Sequence, residues 1–190
     1  RQGSRGSGLV IFEVDAPPAF VLDCLGSFEQ YPEMIPVVRD AETLCSTSTP
    51  QGLLARVNYK ISKFWLSVTA IHSVDRDAGV VRFSLDESCS RLVLHQALGS
   101  WVVEQAPGDN PSRTRVWLRA SLSAASLLPH WLIDYAASRA LRRATSWLKP
   151  YTEAAWRDRH LGRSRSEEQT EDARFGVSVP PSLRLVPSMA

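Results

Sequence analysis

The chain has 190 residues, 44% of them apolar, with 22 Lys and Arg against 20 Asp and Glu and a net charge of +2. That length and apolar content suffice for one ordinary core and a tail. The near balance of charge gives no basis for a nucleic-acid partner, and no apolar run reaches the roughly 18 residues of a membrane span.

After a Gly/Ser-rich leader, Arg1 to Gly8, read as flexible, the segment LVIFEVDAPP reads as a strand of β-branched and aromatic residues stopped by Pro17 and Pro18. Asp15 or Ala16 is placed to cap the helix that follows, whose first turn accepts the prolines. Phe20, Val21, Cys24, Leu25 and Phe28 recur at three-and-four spacing along it and form its buried stripe. The next piece, EQYPEMI, is a second helix of one or two turns, confined by Pro32 and Pro36.

From Val37 to Ala124 the hydrophobic period changes to two, broken at STSTPQG, SK, DRDAG, SCS and APGDNPS. Strands are expected over 37–46, 52–60, 63–75, 79–88, 91–106 and 113–124, and such short connections favour consecutive antiparallel neighbours. Alternation is clearest where Val81, Phe83 and Leu85 oppose Arg82, Ser84 and Asp86, and where Val116, Leu118, Ala120 and Leu122 oppose Arg115, Trp117, Arg119 and Ser121. For Trp117, guanidinium stacking by its Arg neighbours on an outer face is the expected role.

A long helix begins at Pro129, with Ile133, Ala137, Ala140, Leu141, Ala144, Leu148, Tyr151 and Ala155 on one stripe and a kink expected at Pro150. About 20 residues of helix span about 30 Å, enough to lie across a sheet. Beyond Trp156 periodicity is lost and residues 157–190 read as a disordered tail, within which RFGVSVPPSLRLVP is an alternative partner-docking strand. One strand, two short helices, six strands and one long helix make an α+β fold: a curved antiparallel sheet of about seven strands around a C-terminal helix, over residues 9–156.

The segments FEVDAPPAFVLDCLGSFEQYPEMIPVVRDAETL, LGSWVVE and LLPHWLID, in that order, resemble the START-like or helix-grip superfamily of polyketide cyclase/dehydrase and lipid-transport proteins. Within it the chain looks most like the coenzyme Q-binding branch. The resemblance covers Leu9 to about Trp156. It implies a hydrophobic cavity between sheet and C-terminal helix that binds, and in some members transports, a prenylquinone such as coenzyme Q or a lipid, with no cofactor. It also implies a mitochondrial or plastid setting. The segment AASLLPHWLI, with the arginines 139, 142 and 143, is either a piece that touches a membrane surface during ligand delivery or a helix packed on the sheet with a solvated Arg face. Tyr31, Met34 and Ile35 either rim that cavity or pack as core. Tyr59, Phe83, Leu85, Trp101, Val116 and Leu118 are candidate wall residues from the sheet. Ala137 and Leu141 are their counterparts on the helix, with Trp131 at its entrance.

Catalytic chemistry has few candidates. The histidines His72, His95, His130 and His160 form no triad, HExxH or metal-spaced pair, and Cys24, Cys45 and Cys89 show no CxxC, so neither a metal site nor a disulfide framework is expected. His95 shares a face with Val93, Ala97 and Trp101 in a regular strand; it is either a polar anchor for a ligand carbonyl or a solvent-facing sheet residue. His130 reads as structural. A cyclase or dehydratase using His95, Asp86, Glu87 or Glu104 as acid or base in the same cavity is the enzymatic alternative. An interaction module with a collapsed cavity is the third.

Overall fold

In the computed structural model the described residues are 4–61, 66–86, 94–124 and 146–160. The strand β1 (Ser4–Val14) leads into α1 (Pro18–Gly26), a 3-10 turn (Phe28–Gln30) and α2 (Tyr31–Met34). Six strands follow: β2 (Val38–Thr49), β3 (Gly52–Ile61), β4 (Leu66–Asp75), β5 (Val80–Leu85), β6 (Leu94–Gln105) and β7 (Thr114–Ala124). Residues 146–160 are helical and are called α3. The seven strands form one antiparallel sheet in the order β1-β7-β6-β5-β4-β3-β2, the expected meander with its first strand returned beside its last.

Several boundaries differ from expectation for identifiable reasons. β1 starts at Ser4, inside the segment read as a flexible leader, because ladder hydrogen bonds belong to the backbone, and Gly6 and Gly8 pair with Leu122 and Ala120 as well as any residue would. The α1 cap is Pro17, not Asp15 or Ala16, with Pro18 in the first turn; the Asp15 amide donates instead to Glu153 Oε1 at 3.0 Å. β2 runs through Ser46–Thr49, so that Thr49 pairs with Gly52 and the hairpin narrows to Pro50 and Gln51. Between β4 and β5, Gly79 takes φ 64°, the left-handed conformation that closes that turn. α3 is helical on both sides of Pro150.

Alternation along each strand divides the sheet into an inner face, covered by α1, α2 and α3, and an outer face. Val14, Val57, Val81 and Val116 are fully buried on the inner face together with Val21 and Leu25 of α1 and Leu148 of α3. Phe20 of α1 is half-buried and meets Trp156 with ring centroids 5.0 Å apart. The outer face carries several ion pairs and polar contacts. Glu13 meets Arg113 and Arg115 at 2.8 and 2.9 Å, Arg56 pairs with Asp86, and Trp117 donates its indole N–H to Glu104 at 2.8 Å. The Trp117 ring thus lies on the outer face as expected, with a carboxylate as the partner of its N–H. Asp86, also on the outer face and not in a cavity as the enzymatic alternative requires, is only 7% exposed, held beside Arg56 where its own amide donates to the Thr69 carbonyl.

Candidate ligand-binding site

Strand register assembles the inner face into rows that run across the sheet. One row reads Val74, Val81, Trp101, Leu118 and Val10. Its neighbour reads Ala55, His72, Phe83, Gly99, Ala120 and Gly8. The first row and the one beyond it, with Val103 and Val116, are filled: Trp101 is 7% exposed and meets Trp147 of α3 edge to face at 5.9 Å. The second row becomes thin toward β1, where Gly99, Ala120 and Gly8 carry almost no side chain. Phe83, Leu85, Ala97, Gly99, Ala120 and Leu122 are all only half-buried although they point inward. A close-packed core would bury such residues completely, so side chains of the described residues leave this half of the inner face incompletely covered.

The ring of Phe83 extends over Gly99, where a Cβ would lie 2.5 Å from Cζ. On the other side of the row stands an aromatic cluster. His72 stacks on Phe28 at 4.2 Å and 28°, and Tyr59 stacks on Tyr31 at 5.7 Å and 19°. The Tyr59 hydroxyl and His72 Nε2 are 2.9 Å apart, while Tyr31 donates its hydroxyl hydrogen to the Leu25 carbonyl at 2.8 Å. Burial pushes both phenols above their ordinary pKa and lowers His72 to about 4, so all three are neutral near pH 7. Beside this cluster a cleft of about 370 Å³ opens between the turn after α1 and strands β2 and β3, bounded by Ser27, Phe28, Gln30, Thr43, Leu53 and Ala55. That volume falls within the range of small-molecule sites.

The expected site residues therefore separate into groups. Tyr31, Met34 and Tyr59 are buried together in the aromatic cluster at the covered end of β3, and Phe83 and Leu85 project into the thin half. Trp101, Val116 and Leu118 belong to the filled half. His95 sits in a β-bulge, between the pairs Leu94↔Ala124 and Gln96↔Ser123, and is exposed; the alternation argument that aligned it with Ala97 and Trp101 fails because a bulge breaks the period. Trp131, Ala137, Leu141, His130, Glu87 and all of the candidate membrane segment after Ala124 lie outside the described residues.

His72 is the residue the sequence reading passed over. Its signal was the alternation Val68, Ala70, His72, Val74 in β4, an imidazole on an otherwise apolar and small face. Of the candidate acids, Glu104 is exposed on the outer face with Trp117, and Asp86 is paired with Arg56 across from the core side of β3. Among the described residues no cluster of His, Cys, Asp or Glu has the geometry of a metal site, and no helix is long and apolar enough to cross a membrane.

The fold recurs in solved structures of low sequence identity. The Zhui aromatase/cyclase of a Streptomyces species superposes with a TM-score of 0.60 at 14% identity, over 83% of this chain and 96% of that one. A START superfamily protein of Mycobacterium smegmatis gives 0.59 at 18% identity over 80% and 99%. A protein of Thermus thermophilus gives 0.61 at 16% identity over 79% and 99%. No curated protein matches the chain. The family model for polyketide cyclase/dehydrase and lipid transport matches residues 14–149, most of the sheet and the start of α3, and the chain belongs to that family, with the helix-grip fold.

Proposed function

We propose that this protein binds a hydrophobic small molecule against the thin half of its inner sheet face and carries it without chemical change. The observation that supports this reading is the row His72, Phe83, Gly99, Ala120 and Gly8, where apolar inward side chains stay half-buried and glycines stand where a packed core would place larger residues. A prenylated quinone or a lipid suits such a surface, because each buried methylene contributes about 0.8 kcal/mol and a long tail supplies most of the affinity. Transient contact with a membrane, at which such a ligand is exchanged, is part of the same proposal.

The enzymatic alternative is narrowed by position. Glu104 and Asp86 are engaged on the outer face and His95 is exposed at its bulge, which leaves the His72–Tyr59 pair as the interior acid–base candidate among the described residues. Native mass spectrometry after incubation with a short-chain prenylquinone and with phosphatidylcholine tests the carrier reading. Uptake of one equivalent, recovered unaltered on extraction, is the expected result. A protein that stays empty with both overturns it, and recovery of a cyclised or dehydrated product from a polyketide offered in the same way transfers the site to catalysis.

A further inference from the structure

His72 is 5% exposed, and its Nδ1 has no hydrogen-bond partner among the described residues. Buried imidazole nitrogens in folded proteins are almost always paired. The other nitrogen, Nε2, meets only the Tyr59 hydroxyl, and that hydroxyl has no second partner among the described residues. Counting hydrogens assigns the tautomer. With the ring hydrogen on Nε2, it would donate to the Tyr59 oxygen, leaving the phenol hydrogen unspent and Nδ1 a bare acceptor: two orphans. With the hydrogen on Nδ1, Tyr59 donates to Nε2 and one orphan remains, the Nδ1–H donor. Each buried orphan costs about 1–3 kcal/mol, so the second arrangement prevails.

That donor stands at a defined place. His72 lies between Ala55 and Phe83 in the inner-face row, and its ring stacks on Phe28. Phe28 and Ala55 wall the 370 Å³ cleft, and Phe83 covers Gly99 at the border of the thin half. The rings of Phe28, Tyr31, Tyr59 and Phe83 surround the imidazole, and no group of the described residues supplies an acceptor to Nδ1. We propose that the ligand of the inner cavity is recognised through an acceptor oxygen, a carbonyl on an otherwise apolar framework, that takes the Nδ1–H hydrogen of His72. The proposal rests on the ligand-binding reading above and adds to it the chemistry that selects among apolar ligands: hydrocarbon for the Gly99, Ala120 and Gly8 surface, one oxygen for His72. Tyr59 then acts as a positioning residue, since it fixes the tautomer that makes His72 a donor.

Two measurements on the intact chain test this. The first is 15N NMR of histidine-labelled protein, which reports which ring nitrogen bears hydrogen. Nδ1–H is expected in the free protein, and an Nε2–H tautomer overturns the proposal. The second compares binding of 9-fluorenone with that of fluorene, molecules of one shape that differ by a carbonyl oxygen in place of two hydrogens. Preference for fluorenone by about tenfold, equivalent to about 1.4 kcal/mol, with a shift of the Nδ1 resonance, is expected in the natural chain. His72→Leu carries no side-chain donor, so it should bind the two equally, and a retained preference overturns the assignment. Equal binding of both probes by the natural chain overturns the His72 anchor and leaves the apolar cavity standing. Binding of neither overturns the cavity reading and the anchor together. The tautomer and the natural chain's preference need no variant to fold.

Discussion

The ring of Phe83 occupies the space that a side chain on Gly99 would take. A Cβ there would lie 2.5 Å from Phe83 Cζ and 2.4 Å from the Arg119 carbonyl oxygen. The ring can turn, but the β7 backbone cannot yield without breaking its ladder with β6. Gly99→Ala is therefore expected to destabilise the protein by about 1–3 kcal/mol, the range for overpacking, and to displace Phe83 toward the cavity. Urea unfolding measures the first effect, and a drop in bound apolar probe at a denaturant-free concentration measures the second. An unfolding midpoint equal to that of the natural chain would refute the close contact.

Acidification should weaken the fold through His72. Its pKa is lowered to about 4 by burial, below the ordinary 6.5. Between those values the unfolded chain binds a proton that the native chain refuses, so the contribution is fully present above pH 6.5 and is lost as pH falls toward 4. Over that window the loss amounts to roughly 3 kcal/mol at about 1.36 kcal/mol per unit. His72→Gln should flatten the stability–pH curve in the same window. An unchanged slope in the variant would place the acid sensitivity elsewhere.

One substitution should give opposite results at two buried threonines. Thr114 is fully buried and donates its hydroxyl to the Ala16 carbonyl, whereas the Thr152 hydroxyl, equally buried, has no partner among the described residues. Thr114→Val strands a carbonyl and is expected to cost about 1–3 kcal/mol. Thr152→Val replaces an unpaired hydroxyl with a methyl of similar volume and should be neutral or stabilising by up to about 1 kcal/mol. Thermal unfolding of the two single variants decides the matter, and losses of equal size would contradict the pairing.

Trp101 and Trp147 join β6 to α3 edge to face at 5.9 Å and 74°. Trp101→Phe keeps an aromatic ring but reduces the contact, with an expected cost of about 0.5–1.5 kcal/mol. The near-ultraviolet circular dichroism of the coupled indoles should fall at the same time. A spectrum identical to that of the natural chain would mean that the two rings are not in contact in solution.

The strand order was legible because turn residues punctuate the chain at short intervals and force neighbours in sequence to be neighbours in the sheet. Inner faces were legible on β5 and β7, where Val81 and Val116 alternate with Arg82 and Arg115. They were not legible on β4, which carries no Asp, Glu, Lys or Arg before Asp75 to mark a wet side, and so His72 was passed over. His95 was misaligned for the reason that a bulge leaves no mark in a hydrophobic pattern. The burial of Asp86 was not legible either: charge indicates the outer face but says nothing about whether an ion partner such as Arg56 will cover it. The thin half of the inner face depends on glycines and alanines from β6, β7 and β1 meeting in one row, which only register reveals.

The pairing of β1 with β7 sets Val10 beside Leu118 and Phe12 beside Val116, across more than half the length of the chain. Strands β3 to β7 can each zip onto a neighbour made moments earlier, but β1 has no partner until nearly the whole sheet has been synthesised. Closing such a long loop is slow because its entropy is spent before any contact rewards it. During translation the first apolar strand must therefore wait, exposed, for the last one. The order of emergence from the ribosome, more than any single contact, makes β1 the segment through which a nascent copy of this protein is most vulnerable to pairing with the wrong edge.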